Sequence, residues 1–169
     1  MPTWLIAYQH APQLDMNPVT ATTGYPLGIA LSLLGGFYVQ ATTIAAVPLG
    51  FALVFLLLLS GIKVIDDAQD YDYDRSIEKR TVAVTLGPQR AYTVAYGLMA
   101  TALLVVVGFV VTQHFPPTAV VAGLAFAVVA MIAARAPPDL ATMLLIRGSY
   151  VFLAVLVAAV WFEPLTGFL

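Results

Sequence analysis

The stretch IDDAQDYDYDRSIEKRTVAVTLG, residues 65–87, holds six of the chain's nine acidic residues. It is bordered by long runs without a single Asp, Glu, Lys or Arg, residues 27–62 before it and 91–111 after it. The chain as a whole has 169 residues, 61% hydrophobic and 9% charged, with a mean hydropathy of +0.93. That balance is a membrane protein's, not a soluble domain's.

A membrane-spanning helix needs about 20 mainly apolar residues, because the hydrocarbon core is ~30 Å thick and each residue rises 1.5 Å. The uncharged run 27–62 is too long for one span and suits two, divided at Gln40, Thr42 and Thr43. The double glycine Gly35–Gly36 in the first of these fits close helix packing or a broken, re-entrant segment. Further on, Gln113, His114, Phe115, Pro116 and Pro117 close one apolar run with a tight turn, and Ala136, Pro137, Pro138 and Asp139 connect the next two. The expectation is an all-α, multi-pass transmembrane helical bundle of about five spans, near 26–40, 44–64, 91–112, 118–134 and 140–162. Residues 1–25 form an N-terminal extramembrane segment in this reading, and residues 65–90 an extramembrane Asp-rich loop.

Several function classes drop out. There is no cysteine, so thiolate metal sites, disulfides and cysteine nucleophiles are excluded. No basic patch exists for nucleic acid. His10 and His114 are far apart and fit interfacial positions better than metal ligation. The N-terminus lacks the basic and apolar regions of a cleaved signal peptide. Apart from Arg147, no span carries a charge near its middle, which argues against an ion or proton relay. Arg147 itself either snorkels to the interface or faces a polar cavity.

The basic residues set the orientation. Lys63, Arg75, Lys79, Arg80, Arg90, Arg135 and Arg147 all fall on one side of an alternating five-span arrangement. Basic residues in short loops stay cytoplasmic, so the Asp-rich loop is expected at the cytoplasmic face of a cell membrane.

If the helix preceding the loop continues to Asp74, Asp66, Asp70, Asp74 and Asp67 lie at about 0°, 40°, 80° and 100° around it, and Asp72 points away. Four carboxylates on one face at a membrane edge repel one another unless a cation neutralises them. Mg²⁺ suits the pattern, since it is typically held by one or two carboxylates together with waters and substrate phosphates. Arg75, Lys79 and Arg80 can bind phosphate oxygens and stabilise a departing diphosphate, and they also serve as topological anchors. Lys63, four residues before Asp67, is placed to pair with it. The bland alternative is a solvated acidic loop neutralised by its own basic neighbours.

The spacing of Asp67, Asp70 and Asp74, followed by Arg75 and by KRTVAVTLG at residues 79–87, resembles the second aspartate-rich motif of the UbiA superfamily of intramembrane prenyltransferases. GGFYVQ near Gly35 and PLGFALVFLLLLSGIKV ahead of the aspartates look like that family's corresponding helices. The resemblance implies a membrane enzyme that moves a polyprenyl group from its diphosphate to a lipophilic acceptor, often an aromatic quinone precursor. It also implies Mg²⁺ as cofactor, ionisation of the allylic diphosphate to a carbocation-like electrophile, and a prenyl tail lying among the helices in contact with membrane lipid. Carried over residue by residue, Asp67, Asp70 and Asp74 bind Mg²⁺ with Asp66 as a supplement, and Lys79, Arg80 and Arg75 contact the diphosphate. Glu78 departs from the pattern, standing where many members have glycine.

The family's first motif, of N-D-x-x-D type, has no counterpart in this sequence, where Asp15 stands alone. The expectation is therefore the C-terminal half of the fold: a fragment, a split enzyme completed by an N-terminal-half polypeptide, or a self-associating half. The competing expectation is a truncated, non-catalytic membrane subunit that binds a divalent cation or a partner through the acidic loop.

Overall fold

The computed structural model describes residues 16–162, and every regular element among them is a helix. In chain order these are α1 (Pro18–Ala41), α2 (Ala46–Gln69), α3 (Tyr71–Ser76), α4 (Val82–Leu86), α5 (Pro88–Val111), α6 (Ala119–Ala133) and α7 (Pro138–Phe162). The all-helical membrane fold expected from the uncharged runs is what the chain adopts. His10, Asp15, the N-terminal sequence weighed as a signal peptide and the tail after Phe162 lie outside the described residues.

Among the described residues three helices, α2, α5 and α7, are both long and apolar enough to cross a membrane. The other two expected spans each fall short in one respect. α6 is apolar but has 15 residues, ~22 Å of helix against a hydrocarbon core of ~30 Å. α1 has the length, 24 residues, but Thr20, Thr22, Thr23 and Gln40 dilute its apolar character. It starts at Pro18, ahead of the expected 26, because Asn17 caps it: the Asn17 Oδ1 accepts from the Val19 N–H at 2.9 Å, and Pro18 takes the first helical position.

Three helices stop in the same way, each at a non-glycine residue with left-handed backbone: Thr42 (φ 56°), Glu78 (φ 60°) and Gln113 (φ 61°). After α1, the Thr42 N–H donates to the Tyr38 carbonyl at 2.8 Å. After α5, the His114 N–H donates to the Phe109 carbonyl at 2.9 Å and the Gln113 N–H to the Val110 carbonyl at 3.0 Å, a Schellman pair that uses the helix's orphan carbonyls. The rings of Phe109 and Phe115 then meet at 5.0 Å, and Pro116 and Pro117 fall in the turn, not inside a helix.

The chain divides after Ala102 into two compact units. In the first, α1 packs along α2, and α4 touches both. α2 is the inner helix of this unit: 67% of its most apolar stretch is buried, against 22% for α5. Its buried positions include Phe51, Val54, Phe55, Leu58, Ile62 and Ile65, the helical spacing of a core-facing stripe. α5 meets α2 at Ala95 and Met99, both buried, and Gly61 makes the approach possible. A Cβ at Gly61 would lie 2.7 Å from the Ala95 carbonyl oxygen, so only glycine fits there.

In the second unit α6 and α7 pair antiparallel, as the falling register shows. Thr118 Oγ1 donates to the Ala159 carbonyl at 3.2 Å, Phe126 stacks on Phe152 at 5.4 Å, and a Cβ on Gly148 would press on Val129. Arg135 closes α6 through its Nη1, which donates to the Met131 carbonyl at 3.0 Å. Arg147 is exposed on α7, consistent with a side chain that leans along the helix surface.

Candidate functional site

The last two turns of α2 carry the first charges met after its apolar stretch. Lys63 Nζ lies 2.5 Å from Asp67 Oδ1 and 3.2 Å from Asp66 Oδ2. The i,i+4 spacing puts Lys63 directly over Asp67, as the sequence suggests. Asp67 shares a buried stripe with Ser60 and Val64 on the same helix, and its side chain is 1% exposed, whereas that of Asp66 is 47% exposed.

The helix does not continue unbroken to Asp74. α2 ends at Gln69, Asp70 takes φ −87°, ψ 15°, and α3 begins at Tyr71. The continuous face of four carboxylates expected from 100° per residue is therefore corrected. Asp70 and Asp72 are exposed, while Asp67 and Asp74 are buried. Among the described residues no three carboxylate or histidine side chains converge on one point. Repulsion between like charges stacked one turn apart supplies a physical reason for the break.

What brings Asp67 and Asp74 together is the segment after α3. Glu78 turns the backbone left-handed, so that the Lys79 N–H donates to the Asp74 carbonyl at 3.0 Å and the Glu78 N–H to the Arg75 carbonyl at 3.3 Å. This is a second Schellman closure, with glutamate in the place usually taken by glycine. It folds the Lys79 side chain back over α3. Lys79 Nζ then sits 3.4 Å from both oxygens of Asp74 and 3.8 Å from Asp67 Oδ1. One ammonium thus bridges two buried carboxylates, and a second, Lys63, pairs with the same Asp67 oxygen.

The remaining motif residues shape the exit of this loop. Thr81 is fully buried and caps α4, its Oγ1 accepting from the Val84 N–H at 3.2 Å. Gly87, at φ 84°, ends α4 and leads into Pro88, which opens α5. Arg75 and Arg80 are exposed and make no ion pair among the described residues. Lys79, expected among the phosphate-binding residues, has its ammonium between the two carboxylates. Lys63 pairs with Asp67 as expected, and with Asp66 as well.

One atom is left over. Asp67 Oδ2 is buried and has no hydrogen-bond partner. An unpartnered carboxylate oxygen in low-dielectric surroundings is costly, and such groups usually mark a binding role or an absent partner atom.

The described residues thus form a multi-helix membrane protein with two buried carboxylates and basic side chains gathered at the end of its inner helix. The chain belongs to the UbiA prenyltransferase family, whose model matches residues 14–139. That match covers the carboxylate cluster and helices α1 to α6. No curated protein and no solved structure matched the chain. Membership places it among the membrane prenyltransferases, enzymes that generally use Mg²⁺ with prenyl diphosphates and lipophilic partners.

Proposed function

We propose that the chain binds a polyprenyl diphosphate at the Asp67–Asp74–Lys79 cluster and serves transfer of its prenyl group to a lipophilic acceptor, aromatic or otherwise, at the cytoplasmic edge of a cell membrane. The observation that carries this reading is the pair of buried carboxylates held around one ammonium, with Asp67 Oδ2 free of any partner.

A hard divalent cation fits this donor set. Asp67 and Asp74 would hold Mg²⁺, and Asp70 and Asp66, at the exposed rim, would reach it through water or through the diphosphate, in keeping with the few direct carboxylates Mg²⁺ needs. When bound, the ion neutralises charge on the diphosphate and makes it a better leaving group. Arg75 and Arg80 have free guanidinium groups to take phosphate oxygens bidentately, and Lys79 adds a point charge. In the transfer, the allylic C–O bond breaks with its electron pair leaving on the diphosphate. The acceptor supplies the electron pair of the new bond to carbon and gives up a proton.

The family's first aspartate motif would contribute the opposite side of the diphosphate site. In this reading that side comes from a longer chain of which this is the C-terminal half, or from a separate N-terminal-half polypeptide, and the residues described above contribute the other.

The test is binding of a labelled polyprenyl diphosphate to the purified chain in nanodiscs with Mg²⁺. Asp74→Asn and Asp70→Asn are expected to weaken it by roughly tenfold or more. Equal binding by both variants and the wild type would sink the proposal. A non-catalytic subunit gives a different pattern: cation binding sensitive to Asp74→Asn, with no affinity for the prenyl diphosphate and no turnover when an N-terminal-half polypeptide is added.

A further inference from the structure

Lys79 stands where a cation bound by Asp67 and Asp74 would have to stand. Its Nζ is 3.4 Å from both Asp74 oxygens and 3.8 Å from Asp67 Oδ1. A divalent ion shared by these two carboxylates would need ligand distances near 2.1 Å, and two cations do not fit in that space. Meanwhile the backbone of Lys79 is fixed independently of its head group, through the 3.0 Å bond from its N–H to the Asp74 carbonyl. The side chain is 20% exposed, against 4% for Asp74 and 1% for Asp67. The ammonium therefore has a route toward water that neither carboxylate has.

We infer that Lys79 is a tethered counter-cation. It neutralises Asp67 and Asp74 while no metal is bound, is displaced when a divalent cation enters, and swings outward into the position where a diphosphate oxygen can accept its hydrogen bonds. The inference rests on the functional reading above and adds to it a regulatory step: the cation and the ammonium compete for the same carboxylates. Lys63 does not share this role, since it pairs with Asp66 and Asp67 within one helix and, among the described residues, makes no ion pair with Asp74. The competition also accounts for how two buried carboxylates persist without metal, because an unpaired buried charge is strongly destabilising.

The probe is Mn²⁺ alone, followed by its paramagnetic signal on binding to the full chain in nanodiscs, without any diphosphate. Lys79→Gln removes the competitor, so Mn²⁺ is expected to bind roughly tenfold tighter than to wild type, the usual weight of a unit charge at this range. Lys79→Arg retains the charge and is expected to stay near the wild-type affinity. A stability readout accompanies this. The Lys79→Gln variant, purified in Mn²⁺, should lose thermal stability on chelation and regain it when Mn²⁺ returns, by a larger margin than wild type. Mn²⁺ affinity in Lys79→Gln equal to or below wild type, with Asp74→Asn impaired, overturns the inference and leaves the binding site standing. Equal Mn²⁺ behaviour of wild type, Lys79→Gln and Asp74→Asn overturns both.

Discussion

Removing Lys63 tests the electrostatic design of the cluster most directly. Lys63→Met keeps most of the apolar stem but withdraws the ammonium 2.5 Å from Asp67 Oδ1. Deleting one partner of a buried ion pair costs about 3–5 kcal/mol, since it leaves the other charge desolvated. Two features of this site lower that figure. The Lys63 side chain is 29% exposed, so water screens part of the interaction, and Lys79 remains 3.8 Å from the same oxygen. The expected loss is about 2 kcal/mol, equivalent to ~4–8 °C in Tm for a chain of this size. The double variant Lys63→Met/Asp67→Leu removes both charges and should recover most of that loss, because apolar pairs of matched volume replace buried ion pairs at little cost. Asp66→Asn, whose side chain is 47% exposed, should change stability by about 0–1 kcal/mol. Thermal unfolding in detergent micelles with chelator present measures all three. A Lys63→Met variant no less stable than Asp66→Asn, or a double variant worse than the single, would refute the reasoning.

Other expectations follow from backbone and packing. Glu78→Gly places glycine at φ 60° and should be neutral or stabilising by up to ~1 kcal/mol, whereas Glu78→Val at the same site should lower Tm and loosen the Lys79 loop, as read by limited proteolysis. Gly61→Val would drive a side chain into the Ala95 carbonyl and should cost ~1–3 kcal/mol, while Gly97→Ala, with nothing within 4 Å, should cost nothing and gain helix propensity; paired melts separate the two. Thr118→Val loses the 3.2 Å bond to the Ala159 carbonyl and should weaken the α6–α7 pair by ~0.6 kcal/mol, the average worth of such a bond in a membrane helix pair.

The parts of the fold that sequence made readable are those governed by transfer from water to hydrocarbon. Apolar stretches of sufficient length became α2, α5 and α7, and the prolines at 116 and 117 fell in a turn. The start of α1 was equally accessible in principle, since Asn17-Pro18 is a cap followed by a residue suited to the first turn, yet the apolar pattern alone drew the boundary too late. The break at Asp70 had no such marker. No glycine or proline interrupts residues 65–74, so helical periodicity projected four carboxylates onto one face. Nor does any local pattern disclose that Glu78 adopts a left-handed backbone, a conformation that favours glycine. Lys79 is the clearest case: its type suggested phosphate, and only the Schellman closure after α3 turns it toward Asp74.

The length of α2 has a bearing on where this protein can work. Its 24 residues amount to ~36 Å of helix, and ~20 of them suffice to cross the hydrocarbon, which brings the water boundary close to Ile65 and leaves Asp67 about half a turn beyond it. The carboxylates therefore have little vertical slack. A host bilayer thicker by ~5 Å, one helical turn, would draw Asp67 to the level of acyl chains, unless the lipid thinned around α2. A thinner one would flood the cluster with water and weaken its hold on any cation. Acyl-chain length of the surrounding lipid is thus expected to bear on how firmly this site holds a cation.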